Sequence, residues 1–114
     1  MKRIFLLGGF ILLLSSCSTQ KSLYSWDKYT TTSYNYYKKQ TPESEEALMK
    51  TYQRIITKAE NQNLRIAPGI YAEYGFFLMK SGKHDEGLAY IKKEKELYPE
   101  SAPFIDRLIK QFSK

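Results

Sequence analysis

One cysteine and one histidine stand among 114 residues. A lone cysteine excludes an intramolecular disulfide framework and any multi-cysteine zinc site. A lone histidine excludes a two-histidine metal site. The chain is too short for more than one ordinary domain. Acidic residues are outnumbered 12 to 18 by basic ones, for a net charge of +6. Glycine is sparse, and its one adjacent pair, Gly8-Gly9, sits in an apolar start rather than in a phosphate-binding loop. No segment alternates apolar and polar residues as a half-buried strand would. The longest apolar run, Ile4–Leu14, spans 11 residues, well short of the roughly 20 that cross a bilayer as a helix.

That run follows the basic start Met1-Lys2-Arg3 and precedes small residues, the pattern of a secretory signal peptide over residues 1–16. Leu14-Ser15-Ser16-Cys17 resembles a bacterial lipobox: an aliphatic residue, two small residues that fit a peptidase, and a thiol that accepts a diacylglyceryl group. The chain's single cysteine falls at this one position. Cleavage before Cys17 would remove Lys2 and Arg3 and leave a net charge of +4. A multiply acylated terminus is an effectively permanent anchor, where one acyl chain binds only marginally. Ser18 stands where an inner-membrane retention signal would be Asp. By resemblance to the sorting rule of bacteria with two membranes, this implies a lipid anchor in the outer membrane, facing the periplasm. Residues 17–22 would be a lipidated Cys and short tether, and 23–114 the folded domain.

The folded part reads as all-α, with about five helices in antiparallel hairpins. Leu23–Tyr37 carries Tyr24, Trp26, Tyr29, Tyr34, Tyr36 and Tyr37. Helical spacing puts Trp26, Tyr29 and Tyr37 on a core face and leaves Tyr34 and Tyr36 as exposed partner-surface candidates. Thr41-Pro42 with Glu43, Glu45 and Glu46 behind it starts a second helix. Its apolar stripe is Leu48, Tyr52, Ile55, Ile56 and Ala59, and Asn61–Asn63 ends it. Ala67-Pro68-Gly69 separates it from a third, with Ile70, Tyr71, Tyr74, Phe77 and Leu78 on one face. Ser81-Gly82 closes that helix. Asp85-Glu86 opens a fourth, carrying Leu88, Ile91, Leu97 and Tyr98 and stopped by Pro99. Ser101 is a candidate cap for a last helix bearing Phe104, Ile105, Leu108, Ile109 and Phe112.

Within this pattern, Tyr71-x2-Tyr74-Gly75-x2-Leu78, then Gly87-x3-Ile91, then Pro99, resembles one degenerate tetratricopeptide repeat. Gly75 would let two helices approach, Leu78 and Ile91 would fill their seam, and Pro99 would break the second helix. Gly87 replaces the usual Ala and is expected to loosen its helix by up to about 1 kcal/mol. Glu94 replaces a small residue. The helix after Ser101 would cap the stack. Across the whole mature chain, the lipobox, Leu23-Tyr24-x-Trp26-x2-Tyr29, Tyr71-Ala72-Glu73-Tyr74-Gly75 and Leu97-Tyr98-Pro99-Glu100-Ser101 together resemble a domain-of-unknown-function family of small bacterial lipoproteins. That family is found beside CsgG-type lipoproteins. The resemblance implies a place in a multi-lipoprotein envelope assembly, with other envelope lipoproteins as partners and a CsgG-type one among them.

No catalytic constellation is legible, so the chain reads as a non-enzyme without cofactor or metal. His84 lies beside Asp85 in a predicted turn, with no free nucleophile to serve. Glu45-Glu46 and Glu94-x-Glu96 lie among lysines, as on a solvated helix face. Lys92-Lys93-x-Lys95 suits the same face, or attraction to anionic lipid or acidic wall polymer. No nucleic-acid-binding motif accompanies the positive charge. The expected function is a lipid-anchored adaptor that binds another envelope protein. Its rival is a cell-wall glycan binding module, or a tetratricopeptide lipoprotein that activates a peptidoglycan synthase.

Overall fold

The computed structural model describes residues 22–114. The expected signal segment 1–16, Cys17 and most of the tether lie outside the described residues. Within them the chain is all-α: α1 (Tyr29–Lys39), α2 (Pro42–Gln62), α3 (Ile70–Lys80), α4 (His84–Leu97), a 3-10 turn (Pro99–Ser101) and α5 (Ala102–Phe112). The helices pack in pairs, α1 with α2 and α3 with α4, and α5 follows against α4.

Each boundary has a local cause. The Thr41 hydroxyl accepts from the Ser44 N–H at 3.2 Å while the Ser44 hydroxyl accepts from the Thr41 N–H at 3.0 Å. This reciprocal cap satisfies two donors that the first turn of α2 would otherwise leave unpaired. Asn63 ends α2 in the left-handed conformation. Gly82, at φ 91°, carries the chain out of α3 where a side chain would be strained. Leu48, Tyr52, Ile55, Ile56 and Ala59 of α2 are all buried against Ile70, Tyr74, Phe77 and Leu78 of α3. A second cluster joins Met79, Ile91 and Ile105, with Leu108, Ile109 and Phe112 of α5 packed on it.

The first segment departs from expectation. Helix starts at Tyr29, not Leu23. Asp27 turns the chain at φ 44°, and Tyr24 instead makes an isolated parallel bridge with Arg65. Trp26, expected in the core, is 44% exposed, because it precedes the helix; its ring pairs with those of Tyr24 and Tyr29. Tyr37, also expected inside, is 65% exposed. Tyr36 takes the inward position and packs edge-on against Phe77, with ring centroids 5.1 Å apart. Tyr29 and Tyr36, seven positions apart, share the face of α1 that packs on the core. At the other end, Ser101 stands at the N-cap position of α5 as expected but makes no side-chain cap. It lies in a helical conformation and its hydroxyl donates to the Tyr98 carbonyl at 2.6 Å, closing the 3-10 turn.

Candidate functional site

The α3–α4 seam brings two helix backbones into close approach. A Cβ on Gly75 would lie 2.6 Å from the Gly87 carbonyl oxygen and 2.7 Å from the Ile91 side chain. A Cβ on Gly87 would lie 2.5 Å from the Gly75 carbonyl oxygen and would also strike Met79. The two glycines thus face one another across the crossing. Gly87 is not a loosening substitution as expected: its missing side chain is what lets the backbones meet. Tyr71, Tyr74, Leu78 and Ile91 are buried around this crossing, and Pro99 begins the exposed 3-10 turn.

Two carboxylates converge on the start of α3, where the helix dipole favours negative charge. Glu94 reaches across from α4 at only 3% exposure and accepts the Gly69 N–H at 2.7 Å. Burial pushes its carboxyl above the ordinary carboxylate range, against the pull of the Gly69, Ala72 and Tyr71 amides. Glu73 stands on the first turn of α3 itself. It accepts hydrogen bonds from the Tyr29 hydroxyl of α1 at 3.0 and 3.2 Å and from the Tyr52 hydroxyl of α2 at 2.7 Å. Burial and the neighbouring Glu73 charge push the Tyr29 phenol up to about 12 and raise that of Tyr52 further. Both phenols therefore stay protonated donors at any physiological pH.

Glu73 also lines an open groove of about 430 Å³. Its walls come from the first helix of each pair and from the terminal helix: Tyr36 and Tyr37 from α1, Phe76 and Phe77 from α3, Phe104 and Leu108 from α5. Phe104 is 54% exposed. Glu73 is the one charged side chain among the groove's lining residues.

Of the two partner-surface candidates, the structure brings Tyr36 into this groove and leaves Tyr34 outside it. Tyr34 is 62% exposed, with the Lys38 ammonium 5.6 Å from its ring centre. The residues that reasoning from sequence passed over are Glu73, Tyr37 and Phe104. Glu73 had a signal, since it is the only charged residue between Ile70 and Met79. Its tyrosine partners lie 44 and 21 positions away, beyond any local pattern.

His84 begins α4 and is exposed. Among the described residues no group of three or more His, Cys, Asp or Glu is placed to hold a metal ion, and no helix is long and apolar enough to cross a membrane. No curated protein and no solved structure matches the chain. One family does match, the domain of unknown function DUF4810, over residues 23–108. That span is most of the chain and takes in both helix pairs, the turn at Pro99 and the groove, so the protein belongs to the DUF4810 family.

Proposed function

We propose that this protein is a lipid-anchored adaptor of the bacterial envelope that docks a partner protein in the groove between α1, α3 and α5. The observation that carries the reading is the groove's composition. A monomeric domain normally buries its large aromatics, yet Tyr37 and Phe104 stand exposed on either side of one concavity. Aromatic side chains around a concave apolar surface are the usual anchors of a protein interface. In the tetratricopeptide arrangement that the sequence resembles, the first helices of successive pairs form the concave, ligand-facing side. The groove here is lined by α1, α3 and α5, which is consistent with that reading.

The Cys17 lipobox supports an outer-membrane anchor on the periplasmic side, and the family resemblance supports a CsgG-type lipoprotein as partner. A partner held in the same membrane meets the groove at high effective concentration, so a contact of modest affinity suffices. The test is photocrosslinking in native membranes from a residue replaced at Tyr37, with products identified by mass spectrometry. A CsgG-type lipoprotein is expected as product. It should disappear with Phe104→Ala, which removes groove surface without touching the core, and with Cys17→Ser, which removes the anchor. Crosslinks to wall glycan or to a peptidoglycan synthase instead would favour the rival reading.

A further inference from the structure

We infer that the groove selects its partner by charge: the docked segment presents a lysine or arginine side chain, flanked by apolar residues, to Glu73. This rests on the adaptor reading and names the chemistry of the partner.

An ionised carboxylate offers about four acceptor positions, and at Glu73 two phenolic hydroxyls use only some of them. No lysine or arginine among the described residues pairs with it, although 18 basic residues populate the chain and other acidic groups, Asp27, Glu45, Glu46 and Asp106, each have a cation within 4 Å. The start of α3 and the two phenols steady this carboxylate, and in an apolar groove a cation is the ligand that complements it. The phenols hold it in place without neutralising it.

The walls suit the same ligand. The faces of Tyr36, Tyr37, Phe76, Phe77 and Phe104 attract cations through their ring quadrupoles. Lys80, outside the groove and paired with Glu45, shows that two of these aromatic side chains accept a cation. Its ammonium lies 5.9 Å from the Phe77 ring centre and 3.5 Å from the Tyr36 hydroxyl. A volume of about 430 Å³ accommodates a few side chains, not a whole helix. The occupant is therefore a short stretch of polypeptide whose cationic tip reaches Glu73 while its stem and neighbours cover Phe104 and Leu108. Long basic side chains combine such an apolar stem and charged head.

The probe is a phage-displayed library of random dodecapeptides, selected separately on wild type, Glu73→Gln and Phe104→Ala. Glutamine keeps an oxygen for the two phenols, so the fold survives. Wild type is expected to enrich peptides with one Lys or Arg between apolar residues. A synthetic peptide from that pool should bind about tenfold more weakly when its cation is changed to norleucine, and Glu73→Gln should erase that difference. Enrichment of acidic or uncharged peptides overturns the inference, as does no enrichment at all, or blockade of the groove by phosphatidylethanolamine vesicles instead of peptide. The wild-type selection decides the sign of the charge even if a variant fails to fold. If Phe104→Ala abolishes the membrane crosslink while Glu73→Gln leaves it intact, the adaptor reading stands and the charge selection falls.

Discussion

Adding a single methyl group at Gly75 should cost more stability than its helix propensity returns. Alanine is better than glycine in a helix interior by about 1 kcal/mol, so an unconstrained site would gain. At Gly75 the new Cβ would sit 2.6 Å from the Gly87 carbonyl oxygen, 2.7 Å from Ile91 Cγ1 and 3.1 Å from the Ile91 amide nitrogen. Two of those three atoms are backbone and cannot swing away. Relief requires α3 and α4 to move apart along a seam that holds Ile91 fully buried and Leu78 and Met79 nearly so. Overpacking of this kind costs about 1–3 kcal/mol and at times more. The backbone clash places Gly75→Ala at the upper end, for a net loss of about 2 kcal/mol after the propensity gain. In a domain of this size that lowers Tm by about 8–16 °C. Thermal unfolding followed by circular dichroism reads the change. Gly87→Ala should behave alike, and the double variant should lose less than the two single losses added, because once the helices have separated the second methyl finds room. A Gly75→Ala Tm equal to or above wild type would refute the reasoning, since it would show that the seam yields freely.

Three other outcomes follow from buried polar groups. Burial raises the Glu94 carboxyl in the folded chain above its ordinary value of 4.5, so the folded state keeps a proton that the unfolded state releases. The stability this group contributes is full below that ordinary value and is lost as pH rises through the raised one; the Tm of Glu94→Gln relative to wild type should therefore climb as pH increases across that window, and parallel curves would refute it. Tyr98→Phe should cost about 1–2 kcal/mol in denaturant unfolding, because the Tyr98 hydroxyl donates to the buried Ile66 carbonyl at 2.5 Å and nothing replaces it; an unchanged midpoint would show that the carbonyl finds another donor. Glu73→Gln should bring the Tyr29 phenol down from about 12 while leaving it above 10, since the carboxylate charge goes but the burial stays; absorbance titration of the phenolates reads this, and a Tyr29 value unmoved by the substitution would show that Glu73 does not govern it.

Local chemistry carried most of the helical framework. Thr41-Pro42, Asn63, Ser81-Gly82 and Pro99 act on their own neighbours, by capping a helix, reversing it or denying it an amide. Their effect is legible without a fold, and α2, α3 and α4 begin and end within a residue or so of where those signals stand. The stripe Leu48–Ala59 is equally local, since a helical period fixes which side chains share a face. The leading segment was harder, because six large aromatics suit almost any face. Which of Tyr36 and Tyr37 turned inward depended on Tyr29 rather than Trp26 setting the packed face and on Phe77 waiting across the gap.

Long-range partners account for the rest. Gly87 by itself looks like a weak helix position, and only the opposing Gly75 carbonyl makes it a requirement of packing. Glu94 by itself looks like a misplaced charge, and only the Gly69 amide, just ahead of α3, makes it a cap. Glu73 becomes an anionic point in an aromatic groove because Tyr29, Tyr52, Phe77 and Phe104, drawn from four helices, close around it. Patterns along a chain record the preferences of single segments. The charge, the groove and the seam arise where segments distant in sequence meet, and their geometry exists only once the helices have packed.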